Sequence, residues 1–182
     1  MKTLLMAMLI TIMGIGAQAQ LSSVTLQAGG LTCSMCSKAV YNALQKVSFV
    51  DKVQVDIKNQ QYHITFKPGS EISFDALSKA VEDAGFSVAV FTVSAKFDHA
   101  VLQKDGHLQL GDQLVHFLNA NGQKLDGTAT FTIVDKQYTS AKNFKKYSAL
   151  SKMPCVQSGH LENCCEKNSG SNGSSRVYHA II

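Results

Sequence analysis

The sequence predicts an α+β protein in two parts: a β-α-β-β-α-β unit, then a small β-rich unit of barrel or sandwich type. Two observations carry this expectation. The hydrophobic period switches between that of a strand and that of a helix, in that order, along residues 22–93. Closely spaced turn pairs, Asp105-Gly106, Gly111-Asp112, Asn121-Gly122 and Asp126-Gly127, then divide short apolar runs in the second half. The composition agrees with a globular chain: 182 residues, 45% hydrophobic, 16% charged, 13 Gly and 2 Pro exclude collagenous, wholly disordered and polytopic membrane classes.

The elements follow in order. Lys2, the apolar run Leu4 to Ile15 and the small-x-small triplet Ala17-Gln18-Ala19 have the form of a secretory signal, so residues 1–19 are expected to be removed. Val24 and Leu26 alternate as in a strand, which Gly29-Gly30 breaks. Cys36, Val40, Leu44 and Val47 recur at the spacing of one buried helix stripe. Val53, Val55 and Ile57, a reversal at Lys58-Asn59, then Tyr62, Ile64 and Phe66 read as a hairpin, with Asn59 as its turn residue. Pro68-Gly69 ends it. Ser73 is a candidate N-cap for a second helix carrying Phe74, Leu77, Val81 and Ala84 and closed by Gly85, and Phe86 to Val93 forms a last apolar strand. This order is the split βαβ arrangement called ferredoxin-like, assigned to residues 20–94.

Residues 95–182 read as the β-rich unit. HLQL, QLVHFLN and TATFTIV are strand-like, a helix is expected over Ser140 to Tyr147, and Arg176 to Ile182 alternates as a terminal strand. The segment near 166–175, rich in Ser, Gly and Asn, has too little apolar content to pack and is expected to be a mobile loop. The charge is balanced in residues 20–94, with six Lys against six acidic residues, and reaches only +3 in residues 95–182. No basic stripe is available for a phosphate backbone, so nucleic acid is not an expected partner.

The chemistry concentrates in five cysteines, an odd number that cannot pair off within one chain. In Gly30-Leu31-Thr32-Cys33-Ser34-Met35-Cys36, one thiol falls on the loop and the other in the first helical turn, so both can converge on one point. The unpaired N–H groups and positive dipole end there stabilise thiolates. Soft thiolates select soft cations, above all Cu(I), with Zn(II), Cd(II) and Hg(II) as the other candidates. A two-coordinate thiolate site leaves its metal open to a third thiol, which suits transfer.

The same heptapeptide, followed by Ala39 and Val40, the hairpin, and Val81-Glu82-Asp83-Ala84-Gly85-Phe86, resembles the heavy-metal-associated domain over residues 22–93. That family includes copper chaperones, the amino-terminal domains of metal-pumping ATPases and the periplasmic mercury-binding protein. The resemblance implies Cys33 and Cys36 as the metal ligands. It also implies a chaperone-like role; a metal transporter or efflux component is the expected partner, and cleavage of the signal near Ala19 implies a periplasmic or secreted location. Two departures stand out: Leu31 replaces the family's packing Met, and Phe86 stands where copper chaperones often carry Tyr or Lys. The competing reading is a dithiol redox protein. A thioredoxin-like domain would carry a Trp beside the motif and a later cis-Pro segment, whereas this chain has no Trp and only Pro68 and Pro154.

A second constellation gathers Met153, Cys155, His160, Cys164 and Cys165. Ligand type alone makes Cys155, His160 and Cys164 or Cys165 a second soft-metal set, and a disulfide from Cys155 to Cys164 or Cys165 competes with it. His116 and His179 fall on apolar strand faces, where a lone histidine more often hydrogen-bonds in a core than binds a metal. His63 is expected to be solvated, and His99 and His107 lie near turns without a partner pattern. No Ser-His-Asp set, phosphate loop or paired carboxylates stand out, so no enzyme activity is expected. A third reading makes the β-rich unit a docking module of an efflux system.

Overall fold

The computed structural model describes residues 20–161 and 176–182; the expected signal (1–19), the loop near 166–175, Cys164 and Cys165 lie outside them. The element order is β1 (Gln20–Gly29), α1 (Ser34–Gln45), β2 (Val50–Asp56), β3 (Gln61–Phe66), α2 (Phe74–Asp83), β4 (Ser87–Leu102), β5 (His107–Leu110), β6 (Gln113–Phe117), β7 (Gln123–Ile133), α3 (Ala141–Ser148), α4 (Cys155–Ser158) and β8 (Val177–Ile181). The first six elements are the expected β-α-β-β-α-β unit, with antiparallel strands side by side as β2-β3-β1-β4.

Local chemistry explains these elements. Val24, Leu26 and Ala28 bury alternate positions of β1, and Tyr62 and Ile64 do the same on β3. Asp56 closes the hairpin by accepting from the backbone N–H of Asn59 at 3.1 Å and from its side-chain amide at 2.8 Å. Ser73 caps α2, its hydroxyl accepting from Ala76 N–H at 3.2 Å. At the far end Gly85 takes φ +88° and Phe86 N–H returns to the Val81 carbonyl at 3.1 Å.

The second half differs from the barrel or sandwich expected of it. Its strands extend the first four into one open eight-stranded sheet, ordered β2-β3-β1-β4-β7-β8-β6-β5. The cause lies in β4, which runs sixteen residues instead of ending at Val93 and therefore offers a second edge to β7. Burial alternates through Val93, Ala95 and Phe97; the register then shifts around Asp98-His99, where His99 takes φ +47°, and resumes at Ala100 and Leu102. Residues 94 and 95, where the two expected units meet, lie inside this strand.

The terminal strand expected at Arg176 to Ile182 is β8, inserted antiparallel to β7 and parallel to β6. The expected helix is α3, capped by Ser140. The short α4, closed by Gly159 at φ +71°, has no counterpart in the sequence reading.

One main core joins the halves. Phe74 on α2 sits 5.3 Å from the Phe91 ring of β4 and 5.1 Å from the Tyr178 ring of β8, and Phe91 lies 4.8 Å from Tyr138. Beside it Asp75 accepts from the Tyr138 hydroxyl at 2.7 Å, from the Gln137 amide, and from Arg176 Nε at 3.3 Å. Burial pushes the Tyr138 hydroxyl far above its usual range, so it stays a donor. On the opposite face, Leu114, Leu118, Val134 and Val177 form a smaller core under Cys155, Val156 and Leu161. Replacing Phe74 with Ala should lower the unfolding free energy by about 3–5 kcal/mol in urea titrations. A loss below about 1 kcal/mol would show that the helix does not hold β4 and β8 together.

Candidate metal centre

The loop that carries Cys33 and Cys36 is fixed at both ends. Gly30 takes φ +83°, which turns the chain out of β1, and Leu31 and Phe86 pack against the main core. Leu31 thus has the packing role that its place in the motif implies. At the other end the Tyr62 hydroxyl, on a fully buried ring, donates to the Ser37 carbonyl at 3.2 Å and ties the first turn of α1 to β3.

Between these anchors Cys33 is the N-cap of α1. Its backbone is extended, its carbonyl accepts from Ser37 N–H at 3.2 Å, and its Sγ accepts from Cys36 N–H at 3.3 Å. Sulfur therefore occupies the place that a Ser or Asp oxygen usually fills, and the cap that starts the helix also aims Sγ at the next thiol. The two Sγ atoms lie 2.7 Å apart, and Thr32 Oγ1 is 3.9 Å from Cys36 Sγ. Cys33 is exposed and Cys36 half-buried. The Cys33 thiol beside it, then the Thr32 backbone, hold the Cys36 thiol below its ordinary pKa, which outweighs a small desolvation effect. A linear cation bridging two sulfurs needs roughly 4.6 Å between them, from metal–sulfur bonds of about 2.3 Å. Side-chain rotation at this exposed corner can supply that opening.

Residues 25–87 match the family model described as the heavy-metal-associated domain. A mercuric transport protein periplasmic component from Pseudomonas fluorescens is 37% identical over 90 residues, covering 98% of that protein and 50% of this chain. The chain belongs to the heavy-metal-associated domain family. The protein of the same description from Serratia marcescens is 36% identical over 90 residues, again 98% of its length and 50% of this chain. Among solved structures, oxidized MerP from Ralstonia metallidurans CH34 is 40% identical and covers 37% of this chain and 96% of its own, with a TM-score of 0.34. The heavy-metal-associated domain thus spans β1 to the start of β4, and β5–β8 lie beyond the family match.

The other candidate ligands are placed differently. Cys155 is buried at the start of α4, and His160, exposed, forms a β-bridge with Arg176. Among the described residues, the ligand group around Cys155 contains His107 and His116 and leaves out His160. His63 is exposed, as expected, and its Nδ1 lies 2.9 Å from Thr25 Oγ1. His116 and His179 occupy the apolar faces expected of them, but they are neighbours in adjacent strands. Burial, then the imidazoles of His179 and His107, push His116 down to about 4 despite the opposing pull of Asp105, so its ring is neutral at neutral pH. The hairpin turn at Gly111-Asp112 was the available signal for His107: pairing Leu110 with Gln113 sets His107 opposite His116.

Because the Cys33 thiol is the leading cause of the Cys36 shift, Cys33→Ala should move the pH midpoint of Cys36 alkylation upward, towards an ordinary thiol. Mass-spectrometric alkylation profiles in a chain lacking Cys155, Cys164 and Cys165 measure this. An unchanged midpoint would assign the activation elsewhere.

Proposed function

We propose that this protein carries a soft cation, captured by Cys33 and Cys36 and passed on by thiolate exchange. The observation that carries the reading is the pair of convergent sulfurs at an exposed helix N-terminus, one of them already biased towards thiolate. Capture releases the thiol protons and forms two metal–sulfur bonds. In transfer, a partner thiolate adds to the metal before the bond to one of the two cysteines breaks, so the cation is never free. Exposed Cys33 gives that third sulfur its approach. Met35, between the cysteines and 71% exposed, adds an apolar contact for a partner.

Cu(I) and Hg(II) are the cargoes that two thiolates serve best. The sequence chemistry puts Cu(I) first. The mercuric relatives favour Hg(II), and Phe86, packed against the core, brings no polar group to a copper thiolate. The names of the relatives also support a periplasmic site of action, delivery to a metal transporter or efflux component, and carriage rather than catalysis. Among the described residues no helix is long and apolar enough to cross a membrane.

The test is anaerobic competition of the reduced chain against a chelator, first for Cu(I) and then for Hg(II), beside Cys33→Ser, Cys36→Ser and the double variant. One cation per Cys33–Cys36 pair is expected, with affinity falling about a hundredfold or more in the double variant. Equal affinity of parent and double variant would overturn the carrier reading. Disulfide-reductase turnover lost in the same variants would replace it with the redox one.

A further inference from the structure

Three imidazoles form one row across the second half of the sheet. His107 on β5 is the register partner of His116 on β6, and His116 is in turn the partner of His179 on β8. The ring centroids are 4.8 Å apart for the first pair and 5.4 Å for the second. His116 is 0% exposed and His179 1%, and the Nε2 atom of each of the three is buried without a hydrogen-bond partner among the described residues. Such atoms are costly in a core, and the row as a whole calls for a partner.

The surroundings specify what that is. Cys155 Sγ lies 3.8 Å from His116 Nδ1, and ligand atoms of His107, His116 and Cys155 all fall within 4.8 Å of one another. A bound cation with metal–nitrogen bonds of about 2.0–2.1 Å and a metal–sulfur bond of about 2.3 Å brings such atoms to roughly 3.5 Å, a contraction of at most about 1.3 Å. Two carboxylates stand behind the row. Asp105 Oδ1 is 3.6 Å from His116 Nε2, and Asp135 accepts from His179 Nδ1 at 2.7 Å and from its backbone N–H at 2.9 Å. A carboxylate holding the far nitrogen of an imidazole is the usual support of a metal ligand. The thiolate of Cys155 and the carboxylate of Asp105 together balance a double positive charge.

We propose that His107, His116 and Cys155 form a second metal site, separate from Cys33 and Cys36, for a borderline divalent cation of the Zn(II) class. Two imidazoles and one thiolate match such an ion better than Cu(I) or Hg(II), which two sulfurs satisfy. A fourth position remains, and His179 is the adjacent imidazole in the row. The ligands come from β5, β6 and α4, so the ion clamps α4 onto the sheet. The site is buried where Cys33 is exposed, which suits a resident ion more than a cargo.

The test uses the whole chain carrying Cys33→Ser and Cys36→Ser, reduced, so that failure of the carrier reading and failure of this one are distinct. Zn(II) is titrated against a chromophoric chelator, with Co(II) as the spectroscopic probe. One Zn(II) per chain is expected, with a higher melting temperature and a Co(II) spectrum showing thiolate charge transfer. His107→Gln and His116→Gln should each weaken Zn(II) by about tenfold or more, and Cys155→Ser should abolish the charge-transfer band. No Zn(II) binding would overturn the site, as would binding that both histidine variants leave unchanged. If circular dichroism shows that His116→Gln is unfolded, His107→Gln at the half-buried edge position decides.

Discussion

Strand β4 has two edges, and a strand inside a packed sheet must satisfy the peptide groups on both. In a chain that stopped at residue 94, the edge away from β1 would face water and would need charges or a cover to stay unpaired. Here β7 takes it along nearly the whole length, from Phe91 opposite Ile133 to Leu102 opposite Gln123. Everything beyond β7 is then committed to the same plane. The position of α2 follows from this, because Phe74 meets one ring from the family domain and one from the last strand.

The two thiol environments are built on opposite principles. Cys33 caps a helix in solvent, where few neighbours fix its side chain and ligand exchange is easy. Cys155 lies in a core of Leu114, Leu118, Val134, Val156 and Val177, beside the neutral imidazole of His116, where a charged species persists only if it is compensated. The sulfur side chains are therefore divided between an exposed corner and a closed interior.

The first half was almost wholly legible in the sequence, because each signal there acts within a few residues. Asn59 in its turn, Ser73 at its cap and Gly85 at its stop all work locally and stand where the sequence puts them, and the Cys33–Cys36 spacing is likewise a local signal. The second half was legible as strands but not as an arrangement. The alternation of Val93, Ala95 and Phe97 was open to reading, yet the bulge at Asp98-His99 breaks it just where continuation into β7 pairing would have been visible. Nothing local marks β8 as the neighbour of both β6 and β7, since that choice depends on burial of Tyr178 and Ala180 on one face and Val177 and His179 on the other. The histidine row was half legible: a two-residue turn fixes His107 against His116, whereas His179 arrives by a parallel pairing to a distant part of the chain.

The insertion of β8 between β7 and β6 has a consequence for the order of assembly. The β5–β6 hairpin touches the rest of the sheet through β8, so during synthesis it has no docking edge until residues 177–181 have emerged. The four strands of the family domain pair with nothing in that segment and can form first, with Phe74 lacking the Tyr178 ring until it arrives. Until then β7 ends in an open edge with β-branched residues, the kind of surface to which chaperones bind. Any change that delays or removes the last strand therefore exposes two edges at once, and its first symptom would be insoluble protein, ahead of any loss at Cys33 and Cys36.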